Sequence, residues 1–183
     1  MKYRFLATQG ALAAVCVFSL ASCGITKVAQ CNSLSTVVNR AQDITKKVKG
    51  MEGDIEKEFA SAKDPAGVQA ATKKVAGLMG TIKDDVTKLS KDLEAVKLQD
   101  EKLVGFQTRA VKNYNDGIKA MEEMIKGMET LGSINLTDSA SAGKAKEASS
   151  SIEAAAKTLN TMDTTEAGIA KEFNGYCDVK GAK

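Results

Sequence analysis

Histidine and tryptophan are absent from this chain, and proline occurs once, at Pro65. Without an imidazole there is no Ser-His or Cys-His nucleophile and no side chain that ordinarily titrates near neutrality. The same absence removes the Glu-x-x-His ligands of di-iron bundles and the axial histidines of haem bundles. The expectation is a protein that is not an enzyme and holds no cofactor and no metal. Arginine is also scarce, at Arg4, Arg40 and Arg109. Guanidinium contacts of the kind that read phosphates and bases are correspondingly few, so no nucleic-acid partner is expected. Aromatic residues make up 4% of the chain. No stretch alternates at period two, so no strands are predicted.

What is present begins with Met1-Lys2-Tyr3-Arg4, two positive charges ahead of an apolar stretch densest over 11–20. Ten residues are too few for a membrane span, which needs about 20. They suit a signal peptide, which has a charged start, a core of about 7 to 15 apolar residues and small residues at the cleavage site. Leu20-Ala21-Ser22-Cys23 supplies that site. Cys16 is preceded by Val15 and fits no cleavage rule.

This quartet resembles the lipobox of bacterial lipoproteins. The resemblance implies acylation of the Cys23 thiol with a diacylglycerol, cleavage of residues 1–22, and an extracytoplasmic chain held to a membrane by its lipid. It also implies a destination, since Gly24 in place of Asp is similar to sequences released to the outer membrane in Gram-negative envelopes. The location expected is thus the cell membrane or outer membrane. Cleavage takes Lys2 and Arg4 from the 26 basic residues and leaves the 23 acidic ones untouched. The mature chain is close to neutral and of a length that suits one domain.

Apolar residues at 3,4 spacing define four helical stripes. The first is Leu34, Val37, Ala41, Ile44, Val48, Met51, Ile55 and Phe59. The second runs through Val68, Ala71, Val75, Leu78, Ile82, Val86, Leu89, Leu93 and Val96. Leu103, Phe106, Ala110, Tyr114, Ile118, Met121, Ile125 and Met128 make the third. A thinner fourth comprises Ala145, Ala148, Ile152, Ala155, Leu159, Met162, Ile169 and Phe173, with Glu166 interrupting it. Asp64-Pro65 is a helix start, a capping oxygen followed by a ring preset for the first turn. Asp100 is a second cap, with Glu101 near the positive end of the dipole. The connection over 132–138 is longer and polar.

Short connections predict an all-α, up-down-up-down antiparallel four-helix bundle, elongated because a helix of about 30 residues is about 45 Å long. The competing architecture is a long helical hairpin that dimerises as a coiled coil, which uses the same spacing. The expected organisation is a signal peptide over 1–22, a lipidated tether over 23–30, the bundle over 31–178 and a tail over 179–183.

An even number of antiparallel helices returns the chain to its starting end, which would bring Cys31 and Cys177 together. In an oxidising compartment they would form a disulfide, with two unpaired thiols as the alternative. Tyr176 is placed to cover that bond. Gly50, Gly53, Gly77, Gly80, Gly105, Gly117, Gly127 and Gly168 fall inside predicted helices, each at a cost of about 1 kcal/mol relative to Ala.

Other constellations read as structure. Asp84-Asp85 and Glu122-Glu123 lie off the stripes and read as solvated surface. Met121, Met124 and Met128 share a helix face and offer thioethers of the kind that bind Cu(I), yet methionine more simply fills irregular core gaps. Phe59, Phe106, Tyr114 and Phe173 are core candidates by spacing. Asn135-Leu136-Thr137 matches a glycosylation sequon, a frequent chance match. Cys31-Asn32-Ser33-Leu34 and the run from Leu98 through Leu103 to Phe106-Gln107-Thr108-Arg109 are faintly similar to small helical lipoproteins of cyanobacteria, a likeness that implies location and no activity.

Two roles fit. One is a structural or protein-interaction module of the envelope, partnered by another envelope protein. The other is a carrier of a small apolar ligand or lipid, which requires a void beside Ala145, Ala148 and Ala155.

Overall fold

The computed structural model describes residues 25–135, 138 and 141–178. The signal segment with Leu20, Ala21 and Ser22, the lipidation candidate Cys23, Gly24, Leu136-Thr137 of the sequon and the tail over 179–183 lie outside the described residues. All regular structure among those residues is helical: α1 (Lys27–Val38), α2 (Ala41–Ser61), α3 (Pro65–Glu94), α4 (Glu101–Leu131) and α5 (Ser141–Cys177). Four helices pack against each other, with α1 and α2 forming two arms of one bent helix.

That bend departs from the continuous first stripe. Asn39 and Arg40 keep right-handed helical backbone angles. Around them Arg40 N–H donates to the Val37 carbonyl and Gln42 N–H to the Asn39 carbonyl, three residues back instead of four. The turn is tightened to 3₁₀ type. Val37, Val38 and Asn39 are poor helix formers, and no proline or glycine is involved. The helix also starts earlier than expected. The Thr26 hydroxyl accepts a hydrogen bond from Ala29 N–H at 3.2 Å, so Lys27 to Gln30, expected as tether, are the first turn of α1.

The two predicted caps form. Asp64 accepts from Gly67 N–H at 2.7 Å with Pro65 at the first helical position. Asp100 accepts from Lys102 and Leu103 N–H at 3.0 Å each. Between helices, pairs with rising numbers on one helix meet falling numbers on the next. Lys47 and Arg40 of the first bent helix reach Asp85 and Asp92 of α3, and Glu58 reaches Lys74. Arg109, Tyr114 and Gly127 of α4 face Glu172, Glu166 and Ile152 of α5.

The core is centred on Leu89, Leu93 and Leu103, which are fully enclosed. Around them lie Leu34, Val86, Phe106, Tyr114, Met121 and Phe173. Predicted stripe residues of α3, α4 and α5 are largely interior, but two core expectations are corrected. Phe59 is 42% exposed and Val68 40% exposed. The reason is the neighbourhood of α2, which has no buried residue: it packs on α3, and among the described residues its backbone approaches neither α4 nor α5. A stripe with one neighbour is covered on one side only.

Packing of α4 on α5 depends on small residues. A Cβ at Gly127 would lie 2.7 Å from Ile152 Cγ1 and 3.0 Å from the Ala148 carbonyl oxygen. Most other helical glycines, including Gly77, face open space. The two positions give opposite expectations. Gly127→Ala should lower stability by about 1 to 3 kcal/mol through overpacking, whereas Gly77→Ala should raise it by about 0.5 to 1 kcal/mol through backbone entropy. Urea unfolding followed by circular dichroism checks both.

Candidate functional site

The densest network of specific contacts lies where the start of α1, the α3–α4 connection, the start of α4 and the end of α5 converge. Cys31 and Cys177 are bonded there, with an S–S distance of 2.08 Å and Cα atoms 5.9 Å apart. The expected pairing therefore forms, and Cys177 is the last residue of α5.

Around the bond, each polar group serves two elements. Gln30 is buried, donating from Nε2 to the Ile25 carbonyl at 2.7 Å. Its Oε1 accepts from Gln99 N–H at 2.5 Å and Asp100 N–H at 2.9 Å, tying α1 to the connection before α4. One Asp100 oxygen caps α4 while the other accepts from the Tyr176 hydroxyl at 2.8 Å. The Leu103 amide hydrogen bond, followed by that of Tyr176, holds the Asp100 carboxyl below the usual carboxylate range. The same Asp100 contact pushes the Tyr176 phenol up. Lys27 Nζ lies 3.6 Å and Lys102 Nζ 4.7 Å from the centre of the Tyr176 ring, both in cation–π reach. Phe106 stands edge-on to Phe173 with centroids 5.9 Å apart and packs against Tyr176 at 6.0 Å.

The run that carried the faint family likeness builds this end. Gln107 Nε2 donates to the carbonyls of Leu93 at 2.7 Å and Val96 at 2.8 Å, tying the start of α4 to the end of α3 and the connection that follows it. Arg109 forks onto Glu172 of α5 at 2.7 and 3.1 Å. Its guanidinium hydrogen bond holds the Glu172 carboxyl below the usual range. With Arg40 paired to Asp92 at 2.7 Å, both arginines of the described chain clamp helices together. These are cohesive contacts between helices.

A second polar cluster sits within the α4–α5 contact. Glu166, read as an interruption of the fourth stripe, accepts the Tyr114 hydroxyl hydrogen bond at 2.7 Å. Burial pushes the Glu166 carboxyl up, the Tyr114 hydrogen bond opposes this, and nearby Asp163 adds to it. Burial likewise raises the Tyr114 phenol well above its ordinary value. Neighbouring Asn113, also buried, donates to the Met162 carbonyl at 3.0 Å. Sequence reasoning missed Gln30, Gln107 and Asn113. The one available signal was a polar residue at a core-facing position of a helix.

The remaining candidates separate by position. Met121 and Met124 are buried, and Met128 packs half-buried beside Met79 and Ile152, as core filling would have it. Asp85 pairs with Lys47 at 2.5 Å and Asp84 with Lys83 at 3.5 Å, while Glu123 is exposed. Among the described residues no three His, Cys, Asp or Glu side chains gather as metal ligands, and every buried side-chain polar atom has a hydrogen-bond partner. Ala148 and Ala155 are buried and Ala145 half-buried against α4.

Neither a protein family, nor a curated protein, nor a solved structure matches this chain.

Two outcomes follow from these clusters. Cys31→Ser combined with Cys177→Ser opens a loop spanning a sequence separation of 146. Stability in urea should fall by about 5 kcal/mol if chain entropy dominates. The second outcome is a pH signature of Glu166. A raised pKa means that the folded state holds its proton more tightly, so the stability it contributes is complete below the unfolded carboxylate range. That contribution is lost as pH rises through the folded pKa. Glu166→Gln keeps an acceptor for Tyr114 without ionising. Its melting temperature relative to wild type should therefore climb between pH 4 and pH 7, as read by thermal melts in matched buffers.

Proposed function

We propose that this chain is a lipid-anchored, extracytoplasmic helical bundle of the bacterial cell envelope, serving as a structural or protein-interaction module. The anchor is a lipid on Cys23 after removal of residues 1–22, supported by Leu20-Ala21-Ser22-Cys23 and by the charged, short-cored leader. The Cys31–Cys177 bond supports an oxidising compartment. No described helix is long and apolar enough to cross a membrane. The bundle is elongated and up-down-up-down, a reading supported by the opposed numbering of the paired residues and by the disulfide joining first and last helices. In this arrangement the four helices expose charged faces to a partner protein of the same envelope.

The observation that carries the interaction role over the carrier role is the approach of α5 to α4. Ala148 brings its carbonyl within 3.0 Å of a Cβ position on Gly127, so alanine there serves close helix contact. Met162 fills the space over Gly117 in the same way.

Two measurements, one on a Cys23→Ala strain and one on the wild type, test this. Cys23→Ala should abolish labelling by a fatty-acid analogue and release the body from the membrane fraction; labelling that persists contradicts the anchor. Crosslinking in intact cells, followed by recovery of the lipidated protein, should yield a discrete protein adduct. Recovery instead of a stoichiometric extractable lipid in the bundle would favour the carrier.

A further inference from the structure

Three apolar side chains are left in solvent at the disulfide end, and they come from distant parts of the chain. Ile25, just before α1, is 47% exposed; Val28, in its first turn, is 47% exposed; Val104, in the first turn of α4, is 39% exposed. The fold gathers them. Gln30 fastens the first turn of α1 to Gln99 and Asp100, which precede α4, and Lys27 and Lys102 approach the same Tyr176 ring. Exposed lysines at this end, Lys27, Lys97 and Lys102, are balanced by exposed Glu94, Glu101 and Asp178. Attraction by charge alone therefore selects no partner, and what distinguishes the surface is its apolar content.

The position of the proposed anchor says what covers it. Cys23 precedes Ile25 by two residues, and two residues span at most about 7 Å. The interfacial layer of a bilayer is itself about 5 to 8 Å deep on each side. From Thr26 onward the chain is fixed, first by the helix cap and then by Gln30 and the disulfide. A lipid seated in the bilayer through Cys23 leaves too little slack for this end to stand clear of the headgroups.

Resting on the lipidation reading above, we infer that the disulfide end is a membrane-contacting face. Ile25, Val28 and Val104 enter the boundary between headgroups and acyl chains, while Lys27, Lys97 and Lys102 extend to the phosphate level, as amphipathic lysines do at interfaces. The occupant of this surface is the lipid bilayer, and zwitterionic lipid suffices because the local charges cancel. The α2–α3 turn, with exposed Phe59 and Val68, then points away from the membrane and stays available to a protein partner.

The absence of tryptophan makes the test direct. Val28→Trp, Val104→Trp and Val68→Trp are made singly in the lipidated protein and reconstituted into phosphatidylcholine vesicles with or without brominated acyl chains. Lys97→Trp, in the exposed α3–α4 connection, repeats the readout should V104W disturb α4. Tryptophan at headgroup depth should shift its emission to the blue and lose roughly half its intensity in brominated vesicles, at positions 28, 104 and 97 but not 68. Protein that floats with the vesicles while V104W and K97W remain as unquenched as V68W overturns the contact face and leaves the anchor standing. Quenching at position 68 in place of 104 overturns it too. Purified protein that carries no acyl mass and fails to float removes the anchor itself, and this inference falls with it.

Discussion

One covalent bond between Cys31 and Cys177 sets the conditions for everything around it. Among the residues of α1 only Gln30, Cys31 and Leu34 are buried. Hydrophobic contact over so few residues would hold a short helix weakly, since isolated helices of this length are marginal. The disulfide, the Gln30 contacts and the Tyr176–Asp100 hydrogen bond supply the missing constraint. Because Asp100 also caps α4, the start of that helix and the end of α5 share one carboxylate. Acidification below the carboxylate range weakens both at once, since a lowered pKa contributes stability that disappears as the group takes up its proton.

Away from that end the packing is of a different kind. The α4–α5 contact uses glycine, alanine and methionine, residues that permit close approach or adapt to irregular gaps. Such an interface has little shape to fix its register. The Tyr114–Glu166 pair and the Asn113 bond to the Met162 carbonyl provide that register, because sliding one helix along the other would strand buried polar groups. The two arms of the first bent helix divide the labour: α1 touches α3, α4 and α5, whereas α2 follows α3 alone.

The starts of α3 and α4 were legible because capping is local. Asp64-Pro65 and Asp100 bond to amides two or three residues on, and a short window of sequence contains the whole interaction. The disulfide was legible for another reason, that the two thiols outside the proposed leader and lipobox and an even helix count leave one simple pairing. The bend at Asn39 and Arg40 was not, since no proline or glycine marks it and the stripe runs through it unbroken. Nor was the exposure of Phe59 and Val68, because periodicity names a face and says nothing about how many neighbours cover it. Glu166 looked like a defect since its partner lies 52 residues away, and Tyr176 meets Asp100 across 76. The candidate site was thus half readable: its cysteines and Tyr176 stood out, while Gln30 and Gln107 required the fold.

With the disulfide at Cys31, eight residues after Cys23 in sequence, the proposed anchor has one testable consequence, that the same short segment would be both acylated and oxidised outside the cytoplasm. Mass mapping of the protein extracted from membranes, digested without reductant, measures both modifications on one molecule. The expected spectrum contains a diacylglycerol-bearing N-terminal Cys23 and a crosslinked peptide pair joining Cys31 to Cys177. A chain retaining residues 1–22, or carrying free thiols at both Cys31 and Cys177, would contradict it.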